Sequence, residues 1–304
     1  MTGEPQARTI RPALPVDLRL TLWPLRRGRS DPCMRIGPGG VWRATRTPEG
    51  PATTLLTAAP TDGALTMRAW GPGSAWALAA FPDLVGADDG GQAFVPGDGV
   101  VGDLHHRLPG LRISRSHAVV EALVPSILEQ KVVGLEARRS YARMLRSLGE
   151  PAPGPAGLLL PPEPGVLASM PSWAFHRFGV ERKRADTIRR ACSYAARLEE
   201  TSAMTPVDAR TRLTALPGIG PWTAAEVALV ALGDADAVSV GDYHLPNQVA
   251  WALAGEPRAD DTRMLELLEP WRGHRGRVIR LIVAGAGAAP RYGPRMPLRS
   301  IAGE

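Results

Sequence analysis

The stretch Leu216-Pro217-Gly218-Ile219-Gly220-Pro221 constrains this chain more than any other. It is too rich in glycine and proline to continue a helix, yet helical patterns flank it. One opens at Thr205-Pro206-Val207-Asp208 and runs to Ala215; the other runs from Pro221 to Leu232. Thr205 followed by Pro206 has the form of an N-cap with proline at the first helical position, where its missing N–H is not needed. The segment therefore reads as a tight helix-to-helix turn. Its glycines permit positive φ and a close backbone approach, Ile219 can staple the two helices, and the second helix exposes free amides at its start. Those amides and the helix dipole suit one backbone phosphate of a nucleic acid. An ordinary turn with a glycine C-cap would use the same residues, so the segment alone leaves both readings open.

Downstream, Gly241-Asp242-Tyr243-His244 sets a carboxylate at the head of the next helical pattern, Asp242 to Ala254. Asp242 can stabilise charge on a sugar or N-cap the helix, a common duty of aspartate. The net charge of +6 and a pI near 10.0 fit a polyanionic partner without demanding one. Cys33 and Cys192 are the only cysteines. They are too few for a disulfide framework, a cysteine-rich zinc site or a four-cysteine iron–sulfur cluster. The histidines show no paired metal spacing with them. The N-terminus lacks an apolar signal core, and no run approaches the roughly 18 apolar residues of a membrane span. The expectation is a soluble, cytoplasmic protein.

The patterning changes once along the chain. Residues 1–15 carry no periodicity and read as a flexible N-terminus. Asp17 to Trp23 alternates leucines with polar residues as a half-buried strand does, and further short runs rich in strand formers follow up to Trp70, separated by Gly/Pro turns. Ser74 to Phe81 reads as a short helix ended by Pro82. Beyond a Gly-rich connector at 90–99 the signals turn helical, including Ser114 to Gln130, Val133 to Leu148 and Glu181 to Glu199. The expected architecture is α+β: a β-rich domain over 16–99, an all-α domain over 100–287 and a C-terminal tail over 288–304.

The run Leu216-Pro217-Gly218-Ile219-Gly220-Pro221-Trp222-Thr223-Ala224, followed by an apolar helix and Val240-Gly241-Asp242-Tyr243-His244, resembles the helix-hairpin-helix DNA glycosylase superfamily. Ile127-Leu128-Glu129-Gln130-Lys131-Val132-Val133 is similar to the helix-end motif of its 3-methyladenine DNA glycosylase II branch. This resemblance implies double-stranded DNA with damaged bases as partner, a monomer, and base excision by nucleotide flipping. Asp242 takes the place of the catalytic aspartate. Trp222 stands where bifunctional members have a Schiff-base lysine, which implies a monofunctional enzyme, and Lys131 and Lys183 are the only lysines.

Gln130 or Lys131 falls where the family fills the gap left by the flipped nucleotide. Gly218, Gly220 and Thr223 are implied DNA contacts. Trp222 and Tyr243 match aromatic base-pocket positions, and Glu226 stands one helical turn from Trp222 where a tyrosine is usual. Arg280 falls near a pocket position and could pair with Glu226. Carbonyls of Thr214, Leu216 and Gly218 match those that hold a sodium or potassium ion in relatives; no other cofactor is expected. Two further readings compete: a non-catalytic hairpin module binding bent or damaged DNA, and a lyase-competent 8-oxoguanine-type enzyme, against which Trp222 argues.

Overall fold

The computed structural model describes residues 4–60 and 62–290. Five antiparallel strands, β1 (Gln6–Ile10), β2 (Met34–Gly37), β3 (Gly40–Thr47), β4 (Gly50–Ala58) and β5 (Leu65–Trp70), lie in the order β1-β5-β4-β3-β2. The register aligns Ile36, Val41, Leu56 and Met67 across four strands, so their side chains share one face. That face packs on Leu18, Leu22, Phe81 and Leu84. On the opposite face Trp42 stacks on Trp70 at 5.4 Å between centroids. The Pro-rich loop brings Ala156, Leu158 and Leu160 against this face beside Ala44.

Two expectations for the N-terminal segment fail. Residues 1–15 are not simply a flexible lead-in, because β1 pairs with β5 from Gln6↔Ala69 to Ile10↔Leu65; residues 1–3 lie outside the described part. An edge strand is held by its backbone, and Gln6 to Thr9 are exposed, so no apolar pattern marks it. The alternating stretch at 17–23 is helix α1 (Leu18–Leu22), capped by Asp17 Oδ1, which accepts the Leu20 N–H at 2.9 Å. Leu18, Thr21 and Leu22 are buried, which is helical spacing, and the alternation of leucines mimicked a strand over too few residues to tell them apart.

The helices follow. α2 (Ser74–Ala79) is succeeded by α3 (Phe81–Leu84), with Pro82 inside the first turn of α3 rather than as a terminator. α4 (Val100–Arg107) precedes α5 (Val119–Leu128), which starts later than the expected Ser114. Residues ahead of it instead bond to a distant helix: the Ser116 and His117 amides donate to the Val230 and Ala231 carbonyls. α6 (Gly134–Leu148), α7 (Pro164–Ser169), α8 (Arg182–Ser193) and α9 (Ala195–Glu199) come next; the last two break at Tyr194 what reads as one basic helix. α10 (Pro206–Thr214), α11 (Pro221–Val227) with a π turn at Ala228–Leu232, α12 (Leu245–Ala254), α13 (Asp261–Leu268) and α14 (Arg275–Gly285) complete the set. The expected tail at 288–304 falls outside the described residues from 291 onward. Among the described residues no helix is long and apolar enough to cross a membrane.

The helices build two cores. The central one gathers α5, α6, α8 and the hairpin, with Leu123, Met144, Ile188, Ile219 and Val227 buried in it. The other gathers α4 and α12 to α14 around Leu104, Val249, Met264 and Val278, and it reaches back to Phe94. The chain passes between them at 233–244, and there the candidate site lies.

Candidate active site

α10 begins as its sequence requires: the Asp208 N–H donates to Thr205 Oγ1 at 3.2 Å, and Pro206 opens the helix. At the turn Gly218 has φ +97°, and a Cβ there would stand 2.5 Å from Thr187 Oγ1 on α8, so only glycine fits. Gly220 differs. Its φ is −95° and its ψ 179°, and a Cβ would meet nothing within 4 Å. It needs no glycine for its own conformation, and open space lies in front of it. Ile219, 5% exposed, is the staple into the central core.

The loop between α5 and α6 leans on this hairpin. Gln130 Nε2 donates to the Gly218 carbonyl at 3.0 Å and to Thr223 Oγ1 at 2.9 Å. Gln130 therefore faces inward, and Thr223 is buried with its hydroxyl engaged. Lys131 is exposed at the tip with φ +56°, a left-handed conformation uncommon outside glycine. The Arg190 guanidinium reaches the Pro217 carbonyl at 2.7 Å, and the Ile219 N–H donates to the Leu216 carbonyl at 3.0 Å.

Asp242 is held by three N–H donors. Its Oδ1 accepts from the His244 amide at 2.7 Å and the Leu245 amide at 2.9 Å, which caps α12. Its Oδ2 accepts from Trp222 Nε1 at 2.9 Å. One oxygen of the carboxylate is thus engaged by the start of α12 and the other by the Trp222 indole. The loop itself is tied down at Gly241, whose φ is +90° and whose amide donates to Asp261 Oδ2 at 2.9 Å.

Glu226 is half-buried on α11 and accepts a hydrogen bond from Ser239 Oγ on the Asp242 loop. Burial pushes its carboxyl above the usual range, and nearby Glu129 and Asp242 push the same way; the Ser239 hydrogen bond and Arg27 act against them. Arg280 lies close enough for the Glu226 charge to favour its protonated form, but burial prevails and lowers it to about 10. No ion pair joins them among the described residues; Arg280 Nη2 donates to the Leu20 carbonyl at 2.9 Å. Arg27 sits 3.9 Å from Glu129.

The structure thus brings together Asp242, Trp222 and Glu226, and sets Gln130 and Thr223 on the hairpin beside Gly218. Tyr243 stands apart: it is 84% exposed, with its ring edge-on to His244 at 4.9 Å, and does not line an enclosed pocket. Sequence reasoning missed Ser239, Arg27, Glu129 and Asp261. Glu129 lies within the helix-end motif, a signal that could have found it. The others make contacts across 13 to 20 residues or between halves of the chain, and carry no local mark.

No family model matches the chain. It is 29% identical over 231 residues to the probable bifunctional transcriptional activator/DNA repair enzyme AlkA of Mycobacterium tuberculosis, covering 70% of this chain and 44% of that one. It is 31% identical over 181 residues to the DNA-3-methyladenine glycosylase 2 of Escherichia coli, covering 58% of this chain and 62% of that one. The chain therefore spans about half the length of the curated relatives it matches. Among solved structures, the 3-methyladenine DNA-glycosylase from Archaeoglobus fulgidus superposes with a TM-score of 0.77 at 17% identity, over 91% of this chain and 97% of that one. The chain has the fold of the helix-hairpin-helix DNA glycosylases. Within that class its sequence relatives are the AlkA and 3-methyladenine DNA glycosylase 2 proteins.

Proposed function

We propose that the chain is a monofunctional DNA N-glycosylase that excises alkylated purines such as N3-methyladenine in base excision repair and leaves an abasic site. The observation that carries this reading is the Trp222 to Asp242 hydrogen bond at 2.9 Å, which places the carboxylate against the helix that starts at the hairpin. As the N-glycosidic bond lengthens, positive charge grows on the deoxyribose, and a fixed carboxylate stabilises it without reorganising. The N–H donors on Asp242 hold it in place before substrate arrives.

Around this centre the other residues take their parts. A backbone phosphate approaches the open space at Gly220, where the amides of α11 begin. The flipped base enters beside Trp222 and Glu226. Lys131, exposed at the loop tip, fills the vacated gap with its aliphatic stem, because Gln130 is already committed to the hairpin. The carbonyls of Thr214, Leu216 and Gly218 suit a hard monovalent ion. Those of Leu216 and Gly218 each accept one protein N–H, which leaves each a second lone pair. Such an ion would supply positive charge at the hairpin for a phosphate.

Trp222 offers no amine for a Schiff base, which supports hydrolysis without strand cleavage. Borohydride should therefore trap no covalent DNA adduct. The mechanism is tested by base release from methylated duplex DNA. Asp242→Asn keeps an oxygen for the α12 cap and should lose about 10²–10³-fold in single-turnover rate. Unchanged release would sink the mechanism.

A further inference from the structure

Glu226 is unlike an acidic residue on a solvated helix face. Ser239, 7% exposed, ties the Glu226 carboxyl to the backbone of the Asp242 loop: its hydroxyl donates to Glu226 Oε1, and its carbonyl accepts the Asp242 backbone N–H at 3.2 Å. Glu226 comes from the helix of the central core, whereas Asp242 heads a helix of the C-terminal core, and the fold brings the two carboxyls near enough for their charges to interact. The positive charges nearby are committed elsewhere, Arg27 to Glu129 and Arg280 to the Leu20 carbonyl. Oε2 of Glu226 makes no hydrogen bond among the described residues.

We propose that Glu226 is a general acid that delivers a proton from its free carboxyl oxygen to a ring nitrogen of the departing base when that base is a neutral damaged purine. The proposal rests on the glycosylase reading and extends it. A cationic alkylpurine already carries the charge that makes it leave. A neutral purine does not, and would depart as an anion unless protonated. Two carboxyls in unlike surroundings divide the labour: Asp242, held by N–H donors, faces the sugar as carboxylate, and Glu226 keeps its proton for the base. In the step, the C1′–N bond breaks and its electron pair leaves with the base, whose ring nitrogen takes the Glu226 proton. Water adds to C1′ and gives up its proton to solvent, and the Glu226 carboxylate is reprotonated from solvent.

Burial, Glu129 and Asp242 favour the protonated acid; Arg27, Arg280 and the Ser239 hydrogen bond oppose it, and burial prevails. The experiment compares wild type with Glu226→Gln, which retains the acceptor for Ser239 and the size of the side chain. Single-turnover release is followed on duplexes carrying hypoxanthine, a neutral base, or 7-methylguanine, a cationic one, across a pH series. The expected result is a loss on hypoxanthine that exceeds any loss on 7-methylguanine by about 10²–10⁴-fold. The wild-type hypoxanthine rate should also fall as pH rises through Glu226 ionisation, and the variant should lack that fall. An equal loss on both bases, no loss on either, or a wild type active on cationic lesions alone would each overturn the role of Glu226 while leaving the glycosylase reading standing. A wild type that releases neither base, nor N3-methyladenine, would instead overturn the glycosylase reading itself.

Discussion

Gly218 and Gly220 look interchangeable in the sequence, and the structure separates them. Gly218 is required by the protein itself, since its φ is +97° and its neighbour Thr187 leaves no room for a Cβ. Gly218→Ala should cost about 1–3 kcal/mol of stability from backbone strain. Gly220→Ala should leave stability within about 0.5 kcal/mol, as a substitution in open space does, yet weaken binding to duplex DNA. Urea unfolding and a DNA titration on both variants check the pair; a stable Gly218→Ala or a DNA-competent Gly220→Ala would contradict the assignment. That Asp242, Trp222 and Glu226 come together was legible, because the hairpin motif and helical spacing mark them. Ser239 was not, because a serine in a loop becomes meaningful only when folding sets it against a carboxyl on another helix.

At the scale of elements, α5 shows how a helix can depend on the rest of the chain for its ends. Its sequence is nearly all apolar, and the side chain of its N-cap, Ala118, accepts nothing. Glu199 on α9 accepts the Val119 and Val120 amides, each at 2.9 Å, and Arg184 on α8 donates to the Leu128 carbonyl at the other end. These distant caps hold the helix that leads into Gln130 and Lys131. Burial raises the Glu199 carboxyl to about 7 against an ordinary 4.5, more than the two amide bonds lower it. A raised folded-state value means that the native state holds the proton more tightly, so this stability is fully present below about pH 4.5 and is lost as pH climbs through 7. Thermal unfolding should show a decline across that window that Glu199→Gln reduces; an identical slope in both proteins would refute it. The helix itself was legible from its apolar run, but its start was placed too early, because Ser114 to Ala118 carry no breaker and their non-helical course, with His117 at φ +55°, is set by contacts with Val230 and Ala231.

For the whole molecule, the important link is the connector that joins the sheet to the C-terminal helices. Arg277 on α14 and Asp89 are both 2% exposed in their side chains, and Arg277 Nη1 meets Asp89 Oδ2 at 2.7 Å. Arg277→Ala would strand a buried carboxylate and should cost about 3 kcal/mol, the low end for a broken buried pair, since Arg112 remains 4.0 Å from Asp89. Calorimetric unfolding measures this; a change below about 1 kcal/mol, as for an exposed pair, would show that the connector is held by other contacts. The sequence by itself determined the α+β class, the hairpin, and the placing of a carboxylate at the head of α12, because turn chemistry and apolar periodicity are local properties that survive in a linear reading. Only the tertiary structure decided that residues 6–10 form an edge strand, that Gln130 turns inward, and that Glu226 meets the Asp242 loop through Ser239. Those outcomes depend on partners far along the chain, and a backbone pairing, an amide rotamer or a desolvated carboxyl has no signature until the surfaces that bury it have met.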